Sequence, residues 1–244
     1  SRSEKNAGSY VVTPSGTDAN YNLSFVNGGL TINKATVSLS GISKTYDGTT
    51  GKGNTTLSIS GVNGETLSLG DATYSDANVA TAGKYLTALT LADNGSYLAS
   101  NYQVPATLNA SNAAATINKA NATVTANSST VTYNGQTQTV SGFTASGLVN
   151  GETASVLTGV STSGGSGVNA GSYTLTPSGT DTNYNLSFVN GGLTINKANA
   201  TVTANSNTVT YNGQTQTVSG FTASGLVNGE SVSVLTGVST SGGS

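Results

Sequence analysis

The chain has 244 residues, of which 7% are charged and 32 are glycine, and it contains no cysteine, histidine, methionine or tryptophan. A net charge of −2 with 35% hydrophobic residues is not the composition of a disordered segment, and the few scattered basic residues offer no surface for nucleic acid. Disulfides are excluded. No apolar run approaches 18 residues and no charged segment precedes an apolar one, so we expect neither a membrane span nor a signal peptide in this stretch.

Residues 1–35 are interpreted as the C-terminal part of a repeat, with Ser1–Ser3 set aside because they do not fit it. The predicted strands are Ser9–Thr13, Tyr21–Val26 and Leu30–Asn33. Tyr21, Leu23 and Phe25 are spaced two apart, so we expect them to share the face of a strand that points to the core.

Residues 36–120 form a second, divergent repeat. Val37 and Leu39 begin an alternating run, and Asp47-Gly48 is a turn signal. Further strands are predicted at Thr56–Ser60, Thr66–Leu69, Tyr85–Leu91, Tyr102–Leu108 and Ala114–Asn118. Pro105 indicates an edge strand or a bulge in the penultimate one.

Residues 121–198 form a third repeat, and 199–244 copy its first part. The copy differs from 121–166 only at Asn207, Ser231 and Val232. The predicted strands of the third repeat contain Ala122–Ala126, Val131–Tyr133, Thr137–Val140, Phe143, Val156–Leu157, Tyr173–Thr176 and Tyr184–Val189. Ile-Asn-Lys-Ala ends each repeat, at Ile32–Ala35, Ile117–Ala120 and Ile195–Ala198.

About seven short strands per repeat, with turn signals every 8–12 residues, predict an all-β fold of tandem immunoglobulin-like β-sandwich repeats. The predicted domains are 1–35, 36–120, 121–198 and 199–244. Neither glycine nor proline lies between Ile117 and Val124, so the junction lacks the composition of a flexible linker. We therefore expect an elongated, semi-rigid rod.

Two groups of motifs resemble known repeats. Lys44–Thr50, Val62–Glu65 and Ala72–Asn78 resemble the YDG repeat of large secreted adhesins of the filamentous-haemagglutinin-like kind. Val131–Gln138 and Asn169–Tyr173, with Asn183-Tyr184, are similar to the MBG repeat found beside it. The resemblance implies secreted or surface-bound bacterial proteins, immunoglobulin-like domains and a role in a stalk or in matrix adhesion. It carries no catalytic residues.

Enzymatic activity is not expected, because histidine and cysteine are both absent. Glu65, Glu152 and Glu230 recur once per repeat at the same turn, which favours a structural role. Asp71 and Asp76 are the densest acidic pair, but Ca²⁺ takes more oxygen ligands than they supply. They are interpreted as turn residues, and no catalytic, cofactor or metal residue is assigned.

Tyr10, Tyr85 and Tyr173 each follow Ala-Gly-x at the start of a strand. This pattern favours core packing, with a hydroxyl that bonds back to the backbone as in a tyrosine corner; an aromatic platform for sugars is the alternative. Thr137–Thr139 and Thr215–Thr217 are interpreted as exposed strands and not as an ice-binding face, since each repeat has only one such threonine pair.

Together with these observations, the resemblance implies spacer repeats of an extracellular or cell-surface bacterial adhesin or biofilm-matrix fibre. The alternative is a module that binds glycan or matrix through loops at the ends of the sandwiches. Residues 199–244 end where residues 4–35 of another copy would continue the repeat. Half a sandwich exposes unpaired strand edges, so other copies of the chain are the expected partners, in a head-to-tail filament.

Overall fold

The computed structural model describes residues 4–242, so Ser1–Ser3 lie outside the described residues. The chain divides into two compact units. The first contains the residues up to Asn121 together with Leu148–Glu152 and Thr182–Asn185. The second contains Ala122–Gly147, Thr153–Asp181 and the residues from Leu186 onward. The units therefore do not follow the predicted repeat boundaries, which stay a prediction.

Among the described residues, nine strands precede residue 120. They are β1 (Gly8–Val12), β2 (Gly28–Ile32), β3 (Ala35–Thr36), β4 (Ser38–Thr45), β5 (Thr56–Ser60), β6 (Thr66–Tyr74), β7 (Leu86–Ala92), β8 (Tyr102–Gln103) and β9 (Ala115–Asn118). The largest sheet has the order β7-β6-β5-β4-β9, in which β4 and β9 are parallel and the other neighbours antiparallel. β1 pairs with β2, and β3 pairs in parallel with β8.

From residue 120 to residue 242 the structure has eleven further strands. They are β10 (Ala120–Ala126), β11 (Ser128–Thr132), β12 (Gln138–Thr139), β13 (Phe143–Ser146), β14 (Val160–Gly164), β15 (Ser166–Gly167), β16 (Gly171–Gly179), β17 (Tyr184–Val189), β18 (Gly191–Asn196), β19 (Thr201–Ala204) and β20 (Phe221–Ser224). The main sheets have the orders β13-β10-β17 and β11-β18-β16-β14, while β12 pairs with β15 and β19 with β20.

The repeated Ile-Asn-Lys-Ala motif has one structural role in both complete repeats. Its isoleucine, Ile117 or Ile195, is buried in the last strand of the repeat, and that strand runs parallel to β4 or β11. The asparagine carbonyl accepts a hydrogen bond from the tyrosine that directly follows β4 or β11: Tyr46 N–H to Asn118 O and Tyr133 N–H to Asn196 O, both 2.8 Å. The motif therefore belongs to a strand that pairs in parallel with an earlier strand of the repeat, and it fixes the position of a tyrosine.

Alternating side chains build a separate core in each unit. In the first unit, Val37, Ile59, Leu67 and Tyr102 form one buried cluster. In the second, the buried side chains come mainly from β10, β16 and β18, where apolar residues alternate with threonine or asparagine. This is the pattern of strands with one covered face, and it confirms the all-β prediction.

Lys44 is the main polar residue in the core of the first unit, with 2% of its surface exposed. Its ammonium donates hydrogen bonds to Asp47 Oδ1 at 2.7 Å and to the carbonyls of Thr49 and Gly51 at 2.8 Å. It also lies 5.0 Å from the centre of the Tyr74 ring. All three ammonium protons thus have partners, as a buried charge requires.

Most predicted strands are confirmed in existence, and three are wrong in extent or type. Tyr102–Leu108 is a strand only over Tyr102–Gln103, because Pro105 has no N–H to continue the ladder. Val156–Leu157 is not a strand, since Ala154–Val156 forms a single 3₁₀ turn, and Leu157 directly after it is buried. In the described part of the chain every helix is such a three-residue turn, so none is long or apolar enough to span a membrane.

The strand predicted at Tyr21–Val26 is also wrong. This segment has no regular structure, and Tyr21, Leu23 and Phe25 expose 74%, 48% and 47% of their surfaces. Its counterpart β17 pairs with β10, whereas no described strand pairs with residues 21–26. Even in β17, Phe188 is 40% exposed, so only the first positions of the alternation reach the core.

Candidate functional site

The most regular polar feature is an Asn-Gly-Glu turn that occurs three times. Asn63, Asn150 and Asn228 all have φ of 52°, and the glycine after each also has positive φ. Asparagine and glycine are the residues that adopt this left-handed backbone most readily. The turn therefore presents the glutamate that follows it, Glu65, Glu152 or Glu230, in the same way each time.

In the first unit the carboxylate of Glu152 accepts hydrogen bonds from two tyrosines. Tyr46 Oη donates to Oε1 at 2.7 Å, and Tyr184 Oη donates to Oε2. The two rings meet edge to face, with centroids 5.4 Å apart and planes at 82°. We call these three residues the tyrosine–glutamate cluster. Tyr46 belongs to the predicted repeat 36–120, while Glu152 and Tyr184 belong to 121–198.

Backbone groups hold the cluster in place. The Tyr184 hydroxyl accepts a hydrogen bond from Val149 N–H at 3.0 Å, so its oxygen is satisfied as both donor and acceptor. Tyr184 is only 2% exposed and Tyr46 only 6%. A hydrogen bond to a charged acceptor contributes about 1.5–3 kcal/mol, and both rings would be left partly uncovered without each other.

Asn183, next to Tyr184, binds the same neighbouring segment. Its Oδ1 accepts from Val79 N–H at 3.0 Å, and its Nδ2 donates to Asn78 Oδ1 at 3.1 Å. Its carbonyl accepts from Ala120 N–H at 3.0 Å. The Asn-Tyr pair at the start of β17 therefore contacts the preceding predicted repeat through both side chains.

A second contact joins two turns. A Cβ added to Gly48 would lie 2.9 Å from the Cβ of Asn150, and one added to Gly135 would lie 2.6 Å from the Cβ of Asn228. Asn228 Nδ2 also donates to Gly135 O at 3.0 Å. The glycine after Tyr-Asp or Tyr-Asn is thus needed both for its positive φ and for this close approach.

The other two glutamates have one tyrosine each among the described residues. Tyr102 donates to Glu65 in the first unit, and Tyr133 donates to Glu230 in the second. The pKa of each tyrosine is raised, first because its hydroxyl is hydrogen-bonded to the carboxylate and second because of burial. Asn101 precedes Tyr102 as Asn183 precedes Tyr184. Its side-chain oxygen accepts a hydrogen bond from Ala7 N–H at 2.8 Å, as that of Asn183 does from Val79 N–H.

A cleft of about 310 Å³ lies at Glu230 in the second unit. We call it the Glu230 cleft; its lining includes Tyr133, Asn169, Ala200, Val227, Glu230 and Leu235. By position in the repeats, Tyr133, Val227 and Glu230 are the counterparts of Tyr46, Val149 and Glu152. In the first unit, the ring of Tyr184 lies against those counterparts.

The Ala-Gly-x-Tyr tyrosines are half-buried and not part of the deep core. Tyr10 Oη donates to Asn6 O and Tyr173 Oη to Asn169 O, both at 2.8 Å. The predicted bond back to the backbone is therefore found at both positions. Tyr85 is flanked by Lys84 and Leu86, which are the buried residues there.

The acidic pair and the threonine pairs have local roles. Asp76 accepts from Asn78 N–H at 2.6 Å and from Thr81 Oγ1 at 2.8 Å, and these bonds, led by the first, lower its pKa. Asp71 accepts from Ala72 N–H at 2.8 Å. Across residues 4–242 no group of three or more acidic side chains is arranged to hold a metal ion. Gln138–Thr139 is a strand, whereas Thr215–Thr217 is not.

The sequence alone identified the recurring glutamates but not their partners. Tyr46 and Glu152 are 106 residues apart, and Tyr133 and Glu230 are 97 apart. The available signal was that Thr-Tyr-x-Gly, Asn-Gly-Glu and Asn-Tyr each recur once per repeat. Recurrence marked three positions of interest, but it did not show that they meet across a repeat boundary.

The fold and the site together define an all-β repeat protein in which tyrosine–glutamate contacts join residues of consecutive repeats. Comparison with protein families assigns the repeats to two types. Residues 30–110 match the YDG domain, and residues 122–194 match the MBG domain of the YGX type. Both resemblances noted in the sequence are thereby confirmed at the level of domain type. No curated protein and no solved structure matches the chain.

Proposed function

We propose that the chain is a spacer segment of an extracellular or cell-surface bacterial adhesin or matrix fibre. Its repeats would be tandem immunoglobulin-like β-sandwiches that form an elongated rod. The observation that carries the proposal is the tyrosine–glutamate hydrogen bond from one predicted repeat to the next, which occurs at Tyr46–Glu152 and again at Tyr133–Glu230, because a contact that recurs along the chain suits an array better than a single binding site. The function is mechanical: length and stiffness separate a distal binding module from the cell.

The cluster supplies a reason for stiffness. Bending the chain between Ile117 and Val124 would pull Tyr46 away from Glu152 and Tyr184. The glutamate would lose a charge-assisted hydrogen bond, and both rings would gain exposure to water. The same bend would break the bonds from Asn183 to Val79 and Asn78. Several contacts must fail together, so small bends are opposed.

Pulsed electron–electron double resonance, which measures the distance between two spin labels, tests whether the cluster holds neighbouring repeats in a fixed relation. The chain has no cysteine, so Ser58→Cys with Ser161→Cys labels one exposed position in each of two predicted repeats. Labelled protein is diluted with unlabelled protein to suppress signals between chains. A narrow distance distribution is expected, and Glu152→Ala should broaden it.

Glu230→Ala is the matched control, since it removes the same residue type at a turn that does not lie between the labels. It should leave the distribution narrow. A broad distribution in the unmutated chain, or no effect of Glu152→Ala, would contradict the coupling role. Binding of this chain to a glycan array would instead favour the alternative of a glycan-binding module.

A further inference from the structure

One asparagine contact in the first unit consists of two complementary hydrogen bonds. Asn183 Oδ1 accepts from Val79 N–H, and Asn183 Nδ2 donates to Asn78 Oδ1. A main-chain N–H is always a donor, so it fixes which end of the Asn183 amide faces Val79 and leaves the NH₂ end for Asn78. We call this pair of bonds the asparagine clamp. In it, one asparagine side chain is bound by a presenting asparagine and by the main-chain N–H of the residue that follows it.

The asparagine clamp occurs a second time in the same unit. Asn101 Oδ1 accepts from Ala7 N–H at 2.8 Å, and Asn101 Nδ2 donates to Asn6 Oδ1 at 3.1 Å. The corresponding distances at Asn183 are 3.0 and 3.1 Å. In both clamps the bond from the main-chain N–H is partly buried and the bond between the two amides is exposed. We therefore expect the main-chain bond to contribute more of the stability.

The two clamps join repeats of different type in opposite order. Asn78 lies in the range that matches the YDG domain, and Asn183 lies in the range that matches the MBG domain. Asn101 also lies in the YDG range, but its partners belong to residues 6–35, which match 169–198 of the third predicted repeat at all but three positions. One clamp therefore has the YDG-type repeat first, and the other has it second.

The presenting asparagine is held by different groups in the two clamps. Tyr10 Oη donates to Asn6 O at 2.8 Å. Asn78 O instead accepts from the ammonium of the buried Lys84. Asn78 N–H also donates to Asp76 Oδ1 at 2.6 Å. A neutral hydroxyl thus does in one clamp what a buried ammonium does in the other.

The presenting segments also differ in length. The four residues Asn6–Ser9 lead to Tyr10, whereas the seven residues Asn78–Lys84 lead to Tyr85. The atoms of the clamp nevertheless keep one arrangement, although neither the length of the segment nor the group that supports it is the same. The contact geometry is therefore independent of the local sequence that builds it.

We propose that the asparagine clamp is a connector that fits a following repeat of either type, so that YDG and MBG repeats can follow one another in either order. The recognised feature is an Asn-Tyr pair. Its tyrosine binds a glutamate of its own repeat, Tyr102 to Glu65 or Tyr184 to Glu152, and its asparagine binds the preceding repeat. The inference rests on the proposed spacer function and names the partner that each repeat binds.

Hydrogen exchange of the two clamp amides tests whether the contact forms in solution. Asn183→Ala should speed exchange of Val79 N–H about tenfold or more, because this amide loses its acceptor and the second bond of the clamp is lost with it. Asn101→Ala should have the same effect on Ala7 N–H. Each variant should leave the amide of the other clamp within a factor of about two, since the clamps share no residue. Each variant is therefore the matched control for the other.

Exchanging the presenting segments tests whether they are interchangeable. Replacing residues 78–84 with the Asn-Ala-Gly-Ser of residues 6–9 places the other presenting segment opposite Asn183. The amide of the introduced alanine should exchange as slowly as Ala7 N–H does in the unmutated chain, and adding Asn183→Ala should speed it about tenfold. The reciprocal replacement, of residues 6–9 by the sequence of 78–84, tests the same claim opposite Asn101 and keeps the original Lys84 in place.

Circular dichroism checks that each variant keeps its β-structure. Fast exchange of the introduced amide in both folded grafted chains would show that each segment fits only its own neighbour, and it would overturn the proposal. Loss of β-structure in both grafted chains, or unchanged exchange of Val79 N–H in Asn183→Ala, would overturn it too. These outcomes leave the spacer proposal standing if the spin-label distribution is narrow. A broad distribution with slowly exchanging clamp amides would contradict the spacer proposal alone, so the two proposals can fail separately.

Discussion

Gly135→Ala tests the contact between turns in the second unit. The residue has φ of +73°, and an L-residue there costs roughly 1–2 kcal/mol. The added Cβ would also lie 2.6 Å from the Cβ of Asn228. That atom is attached to the backbone and cannot rotate away, so the turn must shift, at a further cost of about 1–3 kcal/mol.

Gly213→Ala separates these two costs. Gly213 has φ of +74°, but no atom lies within 4 Å of the Cβ that the substitution adds. Hydrogen exchange of the Glu230 amide, which is bonded to Val227 O at 3.0 Å, reports opening of the facing turn. Gly135→Ala should speed this exchange about 5- to 150-fold, which corresponds to 1–3 kcal/mol. Gly213→Ala should leave it within a factor of about two of the unmutated rate, since its cost is local.

A compensating change makes the reasoning refutable. Asn228→Gly removes the Cβ that clashes and keeps a residue suited to positive φ. Combined with Gly135→Ala, it should return much of the lost protection. Equal exchange in the Gly135 and Gly213 variants, or no recovery in the double variant, would show that the close approach of the turns does not stabilise the unit.

Three further predictions concern charge. The pKa of Tyr133 is raised above its usual 10.0 by its hydrogen bond to Glu230, with burial second. The stability that this bond contributes is therefore present below pH 10 and is lost as pH rises through the higher folded value. Tyr133→Phe should flatten the alkaline fall in the thermal midpoint. Burial acts to raise the pKa of Asp47, but hydrogen bonds from Lys44 and Thr49 outweigh it and lower the pKa below 3.8. That stability is present above pH 3.8 and is lost as pH falls through the folded value, and Asp47→Asn should remove this acid loss in the same assay. Lys44→Ala should lower the free energy of unfolding in urea by about 2–3 kcal/mol. This is less than the roughly 3–5 kcal/mol for breaking a fully buried ion pair, because the Asp47 side chain is 31% exposed.

Strands were predictable where the chain itself contains both partners. The strand Thr56–Ser60 was predicted with its observed bounds. Its neighbours β4 and β6 lie close in sequence, and the alternation of apolar and polar residues along it indicates one covered face. Tyr21–Val26 has the same alternation, but among the described residues no strand pairs with it. Periodicity shows which side chains suit a covered face; it does not show that another strand is there to cover it.

The turns were predictable from backbone chemistry, whereas their contacts were not. Asn150-Gly151 adopts the positive φ values that this pair favours. The closeness of Asn150 to Gly48 depends on how the neighbouring repeat is placed, and no local rule gives that. Lys44 was likewise not assigned to the core from the sequence, yet it is buried with three acceptors around its ammonium.

The assignment of Leu148–Glu152 and Thr182–Asn185 to the first unit affects how the chain can be divided. A fragment cut at the sequence repeats, such as 36–120, would lose the residues that cover Tyr46. Each repeat would then be less stable in isolation than with its C-terminal neighbour present. In the terms used for linear arrays, part of the folding free energy belongs to the boundary and not to either repeat. Unfolding of such an array would begin at its ends and advance one boundary at a time.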